Sequence, residues 1–310
     1  MSRSAAARRT RLGALAAFAV LAVPGCSLAG AAGPGPTAPA PSPDPDVRPL
    51  GGLTAYSHAD AVRLFAREED AVAACMAERG KPYRRQTRTS SARAEETSPY
   101  GLVGPRRAAA DGYGIVGEVL HRAAHPRPAE QQPGDPAWQE ALTGTPAHLT
   151  ARTVARGGRL TYSTDGCVAR ADVLVYGEGW PELEAGANAV ANHVLGAVER
   201  DPAHRAAITR WAACMAEAGY PGYGKDGLQA PRKVLNARLA AAGNDPAKLR
   251  ALGAEEIRTA EADARCEAGA DLAGVVATVQ NAVEARLLTA ADRAVLDRFR
   301  TLKERALATP

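Results

Sequence analysis

The pattern of hydrophobic and polar positions is helical over most of the chain. Apolar residues recur three and four positions apart, and the runs of Ile, Val, Thr and Tyr that strands need are few. The first clear segment predicts a helix with Ser57 as its N-cap and an end near Arg79, because Gly80 and Pro82 stop it. Its predicted inner face carries Val62, Phe65, Val72, Cys75 and Met76.

The second half of the chain predicts more helices with clear start signals. Asp201 and Asp245 are each followed by proline, which suits an N-cap and a first turn, and Thr289 with Asp292 forms a capping box. Helices are expected at 181–200, from 201 to 219, at about 232–242, after 245, from about 254, and from 289 onward. The predicted fold class is therefore all-α, a bundle-like domain of helices joined by long loops.

The middle of the chain is less regular. Residues 81–111 contain seven Lys and Arg residues among Ser, Thr, Gly and Pro without a helical period, and we expect a long mobile loop there. Shorter elements are expected as a helix from about 115, a helix after 135, an extended piece at 159–163, and a helix from 167 to 176.

A ten-residue stretch occurs twice. Residues 73–82 read AACMAERGKP, and residues 212–221 read AACMAEAGYP. A second repeated pattern, C-x-A-x-A-D followed by an aliphatic residue, begins at Cys167 and at Cys266. The domain is therefore expected to consist of two related halves, 53–180 and 181–310. Lys81 stands where the second copy has an aromatic residue that can pack on its helix, so the first helix ending should be looser.

Four of the five cysteines lie in these repeated contexts. In an exported protein an even set of cysteines usually forms disulfides, and four cysteines allow three connectivities. The duplicated contexts favour Cys75–Cys167 and Cys214–Cys266, with a helix end joined to a later helix that begins near the second cysteine. The spacing argues against a zinc site, and the lack of C-x-x-C argues against a redox pair.

The first 25 residues predict a signal peptide for export. Residues 1–11 are basic and polar, and residues 12–24 form an apolar run too short to span as a mature helix. The run leads to Gly25-Cys26, which resembles the lipobox of bacterial lipoproteins. The resemblance implies cleavage before Cys26 and lipidation and acylation of that residue, which would anchor the protein to the membrane. A secreted product is the alternative, and the sequence does not distinguish Sec from Tat export.

Residues 26–52 predict a disordered tether rich in proline and alanine. Seven prolines lie among Ala, Gly and Ser, a composition that favours an extended, polyproline-like spacer. The helical extracytoplasmic domain is then expected to span residues 53–310.

Charge narrows the class of partner. The formal net charge is +4, but removing the four arginines of the predicted signal leaves 34 basic residues, equal to the 34 acidic ones. A neutral mature chain has no global field that would hold polyanions, which argues against nucleic-acid binding. The basic residues at 81–111 could contact anionic lipid headgroups, although a solvated loop is the simpler interpretation.

Catalytic motifs of known classes are lacking. The G-x-G-x-x-G at 112–117 has neither the preceding strand nor the acidic partner that dinucleotide binding needs. His121 and His125 lie four residues apart, but a third metal ligand is missing. Glu78 and Glu217 oppose the helix dipole near the ends of the repeated helices and are the positions there without a packing reason. The sequence predicts no catalytic residue, cofactor or metal, and solvated glutamates are the simpler interpretation.

The lipobox, the proline-rich tether and the paired cysteine motifs resemble those of a group of exported, mostly helical lipoproteins of high-GC Gram-positive bacteria. The resemblance covers about residues 56–310 and implies no particular activity. The expected function is a non-enzymatic envelope protein that binds another protein, a peptide or a wall component. Its site would be a groove between the two halves lined by Trp, Tyr and Leu. Trp180, Tyr220 and Tyr223 are the candidates, although isolated aromatics near turns more often lie at the edges of the core.

Two other classes of function stay open at this point. An enzyme of unrecognised type would need at least two candidate residues to converge in one pocket, and the candidates are His121, His125, His148, His193, Glu78 and Glu217. A small-molecule-binding lipoprotein that serves a transporter is the third hypothesis. The low predicted sheet content counts against the usual two-lobed α/β form of such proteins.

Overall fold

The computed structural model describes residues 45–95, 97–125 and 134–309. The predicted signal peptide, Cys26 and most of the predicted tether lie outside these residues. The helices are α1 (His58–Glu78), α2 (Ala92–Glu95), α3 (Pro105–Asp111), α4 (Ile115–Ala124), α5 (Pro136–Thr143), α6 (Cys167–Val175), α7 (Trp180–Glu199), α8 (Pro202–Glu217), α9 (Ala230–Ala242), α10 (Pro246–Gly269), α11 (Leu272–Leu287) and α12 (Ala290–Ala308). Within the described ranges, no helix is both long and apolar enough to cross a membrane.

The predicted all-α fold class is confirmed. Helices make up most of the described chain, and the described sheet is a single antiparallel pair, β1 (Leu149–Thr153) and β2 (Arg159–Ser163). Leu149 lies opposite Ser163 in this pair. The extended piece predicted at 159–163 is therefore β2.

The predicted N-caps are confirmed at the atomic level. The Ser57 side chain accepts from the Asp60 backbone N–H, and Thr289 forms a complete capping box with Asp292. Asp245 caps α10 by accepting from two backbone N–H groups. From this cap α10 runs unbroken to Gly269, so the second start expected near 254 lies inside one long helix.

The two copies of the repeated stretch end their helices in the same way. Lys81 N donates to Met76 O over 2.9 Å, and Tyr220 N donates to Met215 O over 2.8 Å. The preceding glycine is left-handed in both copies, with φ of +67° and +95°. Both ends are therefore Schellman motifs, and the expectation of a looser first ending is wrong because the backbone bonds, and not the aromatic contact, set the geometry.

The structure contains both disulfides that the repeated contexts favour. Cys75–Cys167 joins α1 to α6, and Cys214–Cys266 joins α8 to α10. The second partner differs between the halves: Cys167 opens α6, whereas Cys266 lies in the last turn of α10. The expectation that each disulfide reaches the start of a helix therefore holds for the first half only.

The prediction of one long mobile loop at 81–111 is wrong. Tyr100, Leu102, Val103 and Ala108 are all buried, and α3 packs along α10. These apolar residues stand between glycines and prolines, so they show no helical period, yet they fill the core between elements. Contacts with the core, and not a helical period, fix the conformation of this segment.

Described residues that precede residue 53 already pack against the helical domain. Pro49 is buried, and Val47 and Leu50 pack against the core around α7, α8 and α11. Leu50 N donates to Glu284 Oε1 over 2.8 Å. The last residues that the sequence assigns to the tether therefore lie against the helices.

Candidate functional site

Three carboxylates on α10 are buried. Glu256, Asp263 and Glu267 are 1%, 0% and 5% exposed, respectively. Their spacing of seven and four residues places them on one face of the helix. We call these three residues the carboxylate row. Buried acids need hydrogen-bond donors, and the donors identify what the row does.

Glu256 caps α4 from another helix. The N-cap of α4 is Gly114, which has no side chain to accept a bond. Glu256 Oε1 accepts from Ile115 N over 2.7 Å, and Glu256 Oε2 accepts from Val116 N over 2.9 Å. A carboxylate at this position satisfies unpaired N–H groups and complements the helix dipole. A Cβ at Gly112 would lie 2.6 Å from Glu256 Cγ, so glycine permits this close approach.

Glu267 holds the chain just before α3 in a similar way. Its two carboxylate oxygens accept from Val103 N over 3.1 Å and 3.2 Å. Gly104, the N-cap of α3, also has no side chain. Burial raises the pKa of Glu267 well above its ordinary value, and the nearby Asp263 carboxylate raises it further.

Asp263 joins the segment before α4 to α8. Asp263 Oδ2 accepts from Tyr113 Oη over 2.6 Å, and Asp263 Oδ1 accepts from Trp211 Nε1 over 2.7 Å. Burial raises the pKa of Asp263, while these two bonds act in the opposite direction. The Arg232 guanidinium lies over the Tyr113 ring, 5.0 Å from its centroid, and donates to the Tyr113 carbonyl.

The carboxylate row therefore fixes residues 103–116 against α10. Sequence reasoning missed the row, although two signals were present. Acids stand at positions that fall on the apolar face of α10, beside Ala260 and Ala264. In addition, α3 and α4 both begin after glycine, so each needs an acceptor from elsewhere.

A cavity of about 580 Å³ lies between α3 and α10, next to the carboxylate row. We call it the α3–α10 cleft. Its floor is apolar and made of small residues, with Ala108, Ala264 and Leu272 all buried. Pro45, where the described chain begins, also lines it. A largely apolar cavity of this size is typical of ligand sites.

Charged side chains stand around the cleft. Glu261 and Asp271 contribute two carboxylates, Arg265 contributes one guanidinium, and Glu267 closes the inner wall. Arg265 and Asp271 are exposed, and Glu261 is half-buried. The lining therefore combines an apolar floor with a mouth that has more acidic than basic groups.

The largest cavity described has a different character. It measures about 980 Å³, lies between residues 46–58, α3 and α11, and is lined by four arginines. Arg48 forms an ion pair with Asp46, and Arg93 forms one with Asp111, each at 2.7 Å. The other two arginines also have partners. These cations are committed to the protein itself, which weakens the case for an anion site.

A second group of carboxylates lies on α1, α6 and α7. Glu68 on α1, Asp172 on α6 and Glu184 on α7 are half-buried, and we call them the acidic trio. Burial and the repulsion from the other two acids raise the pKa of Asp172 to about 7. Burial also raises the pKa of Glu68 and Glu184. Tyr176 Oη donates to Glu68.

The acidic trio does not form a metal site. Among the described residues, no group of three His, Cys, Asp or Glu side chains is arranged to hold a metal ion. Tyr56 lies near the trio, and its buried Oη has no hydrogen-bond partner among the described residues. Burial and the charges of Glu184 and Glu68 raise the Tyr56 pKa above its ordinary value.

The repeated glutamates lie on the surface. Glu78 and Glu217 are both exposed. Glu78 forms an ion pair with Arg170 of α6, one turn beyond the disulfide partner. The matching position in the second half is Gly269, which offers no such partner. The interpretation of these residues as solvated glutamates fits the structure.

The candidate histidines lie apart from one another, except for one stacked pair. The rings of His121 and His125 stack with 4.3 Å between centroids, and His148 lies 3.1 Å from Asp165. His193 is half-buried on α7. Among the six candidate residues for catalysis, His125 alone lines one of the five cavities described. The convergence that an enzyme would need is not seen in this part of the chain.

The three aromatic residues predicted to line a groove do not meet. Trp180 is buried and stacks on Tyr176 and Phe299, with centroids 4.0 Å and 5.0 Å away. Tyr220 and Tyr223 stack on each other at 5.7 Å and pack on a different cluster of the core. All three therefore contribute to the core or its edges.

Comparison with known proteins gives no match. No family model matches the chain, and no curated protein or solved structure is significantly similar to it. The site is therefore interpreted from its own geometry and chemistry.

Proposed function

We propose that this chain is a lipid-anchored binding protein of the cell envelope without catalytic activity, and that the α3–α10 cleft is its binding site. The two disulfides suggest an extracytoplasmic location, because such bonds persist in oxidising compartments. The lipobox-like residues before Cys26 support a lipid anchor at that cysteine. The resemblance to exported helical lipoproteins supports the same assignment.

The observation that carries the proposal is the cleft with its fixed wall. Its volume of about 580 Å³ and its apolar floor suit a ligand group. The carboxylate row holds residues 103–116 through bonds at Val103, Tyr113, Ile115 and Val116. A wall that is ordered before binding lowers the entropy lost when a ligand binds.

The hydrogen bonds of the buried acids support binding over catalysis. A general base must lie within hydrogen-bond reach of the substrate proton. Both oxygens of Glu256, Asp263 and Glu267 already accept from the protein. These groups therefore act as structural acceptors, and the cleft offers shape and charge rather than a reactive pair.

The point at which the chain enters the domain supports a role near the membrane. Pro45 lines the cleft and directly follows the segment that leads from Cys26. A lipid anchor at Cys26 would therefore connect to the domain beside the mouth of the cleft. The partners that fit this arrangement are the membrane through the anchor, and an envelope protein or wall component through the cleft.

A small-molecule carrier is a second candidate function. The cavity volume favours it, because drug-sized molecules occupy sites of this size. The two functions share the cleft and differ in whether the bound group is free or belongs to a macromolecule.

The anchor is tested by mass spectrometry of the mature protein. We expect an N-terminal Cys26 carrying a diacylglyceryl group, and release of the protein into the medium when Cys26→Ala is expressed. An unmodified Cys26 in the membrane fraction would remove the anchor from the proposal.

The binding site is tested by photo-cross-linking on intact cells. A photoreactive side chain at Ala109, on the exposed edge of α3, is compared with one at Ala247, exposed in the first turn of α10. We expect an envelope product from position 109 only, and its loss when Ala268→Trp fills the cleft. The same products from both positions, or products that Ala268→Trp does not affect, would contradict the assignment.

A further inference from the structure

We infer that the α3–α10 cleft binds an aliphatic ammonium group, with its alkyl chain on the alanine floor and its nitrogen at the acidic mouth. This inference rests on the proposed function, because it takes the cleft as the binding site. The chemical group would be the same in a free amine and in a lysine side chain of a peptide.

The floor of the cleft suits an unbranched alkyl chain. Ala108, Ala264 and Leu272 are buried beneath it, and the exposed Ala109 and Ala268 stand at its edges. Small side chains leave a shallow surface on which methylene groups can lie without displacing protein atoms. Each methylene removed from water strengthens binding by about fourfold.

The mouth of the cleft presents its carboxylates from two places in the chain. Glu261 is in the middle of α10, and Asp271 is the residue before α11. Asp271 has a left-handed backbone, with φ of +51°. Its carboxylate lies so close to Gly274 that a Cβ there would be 2.5 Å from Oδ1, and glycine at 274 therefore leaves the carboxylate room. Glu261 and Asp271 are ten residues apart and both line the cleft.

Two other charged groups affect the net charge of the cleft lining. Glu267 closes the inner wall, where its oxygens accept from Val103 N; burial raises its pKa, while these bonds act in the opposite direction. Arg265 is the single base in the lining and is exposed. Glu261 and Asp271 together outweigh it. The net charge of these side chains favours a cationic ligand over an anionic one, and the test therefore includes a cationic and an anionic probe.

The inference is tested by NMR titration of ¹⁵N-labelled protein with three probes of equal chain length: pentylammonium, pentanol and pentanoate. We expect pentylammonium to shift the amide signals of Ala108, Ala264 and Ala268, and to bind about threefold or more tightly than pentanol. Pentanoate should bind most weakly. Equal affinity for the three probes, or tightest binding by pentanoate, would overturn the inference.

Charge-removing variants identify the source of the preference. Asp271→Asn keeps a residue that tolerates a left-handed backbone, and Glu261→Gln keeps the side-chain size. Each should reduce pentylammonium binding toward that of pentanol without changing pentanol binding. Asp297→Asn, an exposed residue of α12 outside this cleft, is the matched control and should change neither. Unchanged pentylammonium binding in both cleft variants would also overturn the inference.

Further measurements distinguish a free amine from a lysine side chain, and the choice of ligand from the assignment of the cleft as a binding site. Nα-acetyl-lysine amide, compared with pentylammonium, distinguishes a peptide-borne lysine from a free amine by which binds more tightly. If none of the probes shifts the cleft signals, the ammonium assignment fails. The cross-linking from position 109 then decides separately whether the cleft binds anything. If pentanol or pentanoate shifts them most, the cleft is a binding site and only the ligand class is wrong.

Discussion

The two groups of carboxylates in this protein contain the same kinds of side chain in opposite situations. Both oxygens of every member of the row on α10 accept a hydrogen bond, with N–H donors at Glu256 and Glu267 and a phenol and an indole at Asp263. Repulsion between neighbouring acids is present in both groups, but in the acidic trio the donor is a single phenol, Tyr176, which donates to Glu68. A buried acid stabilises a fold when donors satisfy it, and otherwise its charge is a cost.

The difference comes from the backbone available to each group. Residues 103–116 contain the starts of α3 and α4, which both follow glycine, so their first N–H groups have no side-chain cap from the N-cap residue. The trio lies on the bodies of three helices, where the N–H groups already bond to carbonyls four residues earlier. The row can therefore organise a binding cleft, whereas the acidic trio makes the packing of α1, α6 and α7 sensitive to pH.

Loss of a disulfide should have the largest effect. The Cys75–Cys167 and Cys214–Cys266 bonds have sequence separations of 92 and 52 residues, which correspond to about 4–5 kcal/mol of unfolding free energy each in the chain-entropy model. Replacing either pair by alanine should lower the denaturation midpoint strongly, slightly more for the first. A loss below about 1 kcal/mol for either pair, measured by urea denaturation, would contradict the role of that bond.

Removal of Asp263 should have the next largest effect. Asp263→Ala leaves the Tyr113 hydroxyl and the Trp211 indole N–H buried without an acceptor, so we expect a loss of about 3 kcal/mol in the free energy of unfolding. Asp297→Ala is the matched control, because its carboxylate is exposed and contacts Arg300 on its own helix. Similar losses in the two variants would show that Asp263 is not the specific link between α8 and residues 103–116.

Neutralising Asp172 should stabilise the protein at neutral and higher pH. Its folded pKa of about 7 lies above the ordinary 3.8, so its contribution to stability is full below pH 3.8 and is lost as pH rises to about 7. Asp172→Asn removes that loss and should raise the free energy of unfolding at pH 8 by about 1–2 kcal/mol, after allowance for solvent screening.

The control variant, Asp60→Asn, should change stability with pH in the opposite direction. A hydrogen bond from Ser57 lowers the pKa of Asp60, so the stability that its ionised form contributes appears as pH rises and is lost in acid. Asp60→Asn should therefore weaken the protein at pH 8 relative to pH 3. Thermal denaturation across pH 3–8 measures both variants, and a gain for Asp172→Asn that does not grow with pH would refute the charge argument.

The repeated glutamates should have the smallest effect. Glu78→Gln breaks an ion pair with Arg170 in which both side chains are about half exposed, so we expect a loss below about 0.5 kcal/mol. Glu217→Gln has no corresponding pair with α10 and should change stability even less. A loss of cross-linking or binding in either variant, with stability unchanged, would reveal a functional role that their surface positions do not indicate.

Much of the fold could be predicted from the sequence because its signals are local. Caps at Ser57, Asp201 and Thr289 define three helix starts, the glycine–proline stops define the ends of α1 and α8, and the structure confirms them. The disulfide pairing followed from the duplicated contexts. The similarity of those contexts did not extend to the helices around Cys167 and Cys266, because the α10 sequence is helical long before its cysteine.

The candidate site could not be predicted because it depends on contacts between distant residues. Val103 meets Glu267 across 164 positions, and Ile115 meets Glu256 across 141. Nothing periodic in residues 81–111 indicates that they are buried. Acids on the apolar face of α10 were the available signal, but the residue type alone does not show whether an acid is solvated or is buried with hydrogen-bond donors.

The carboxylate row should hold the wall of the cleft in place before a ligand binds. Amide hydrogen exchange of Glu267→Ala measures this at the wall itself, with Glu261→Ala as a control on the same helix. We expect the Val103 and Gly104 amides to exchange about tenfold or more faster in Glu267→Ala, while α1 keeps its protection and Glu261→Ala resembles the parent protein. Unchanged exchange at these amides, or equal acceleration throughout the chain, would contradict the claim.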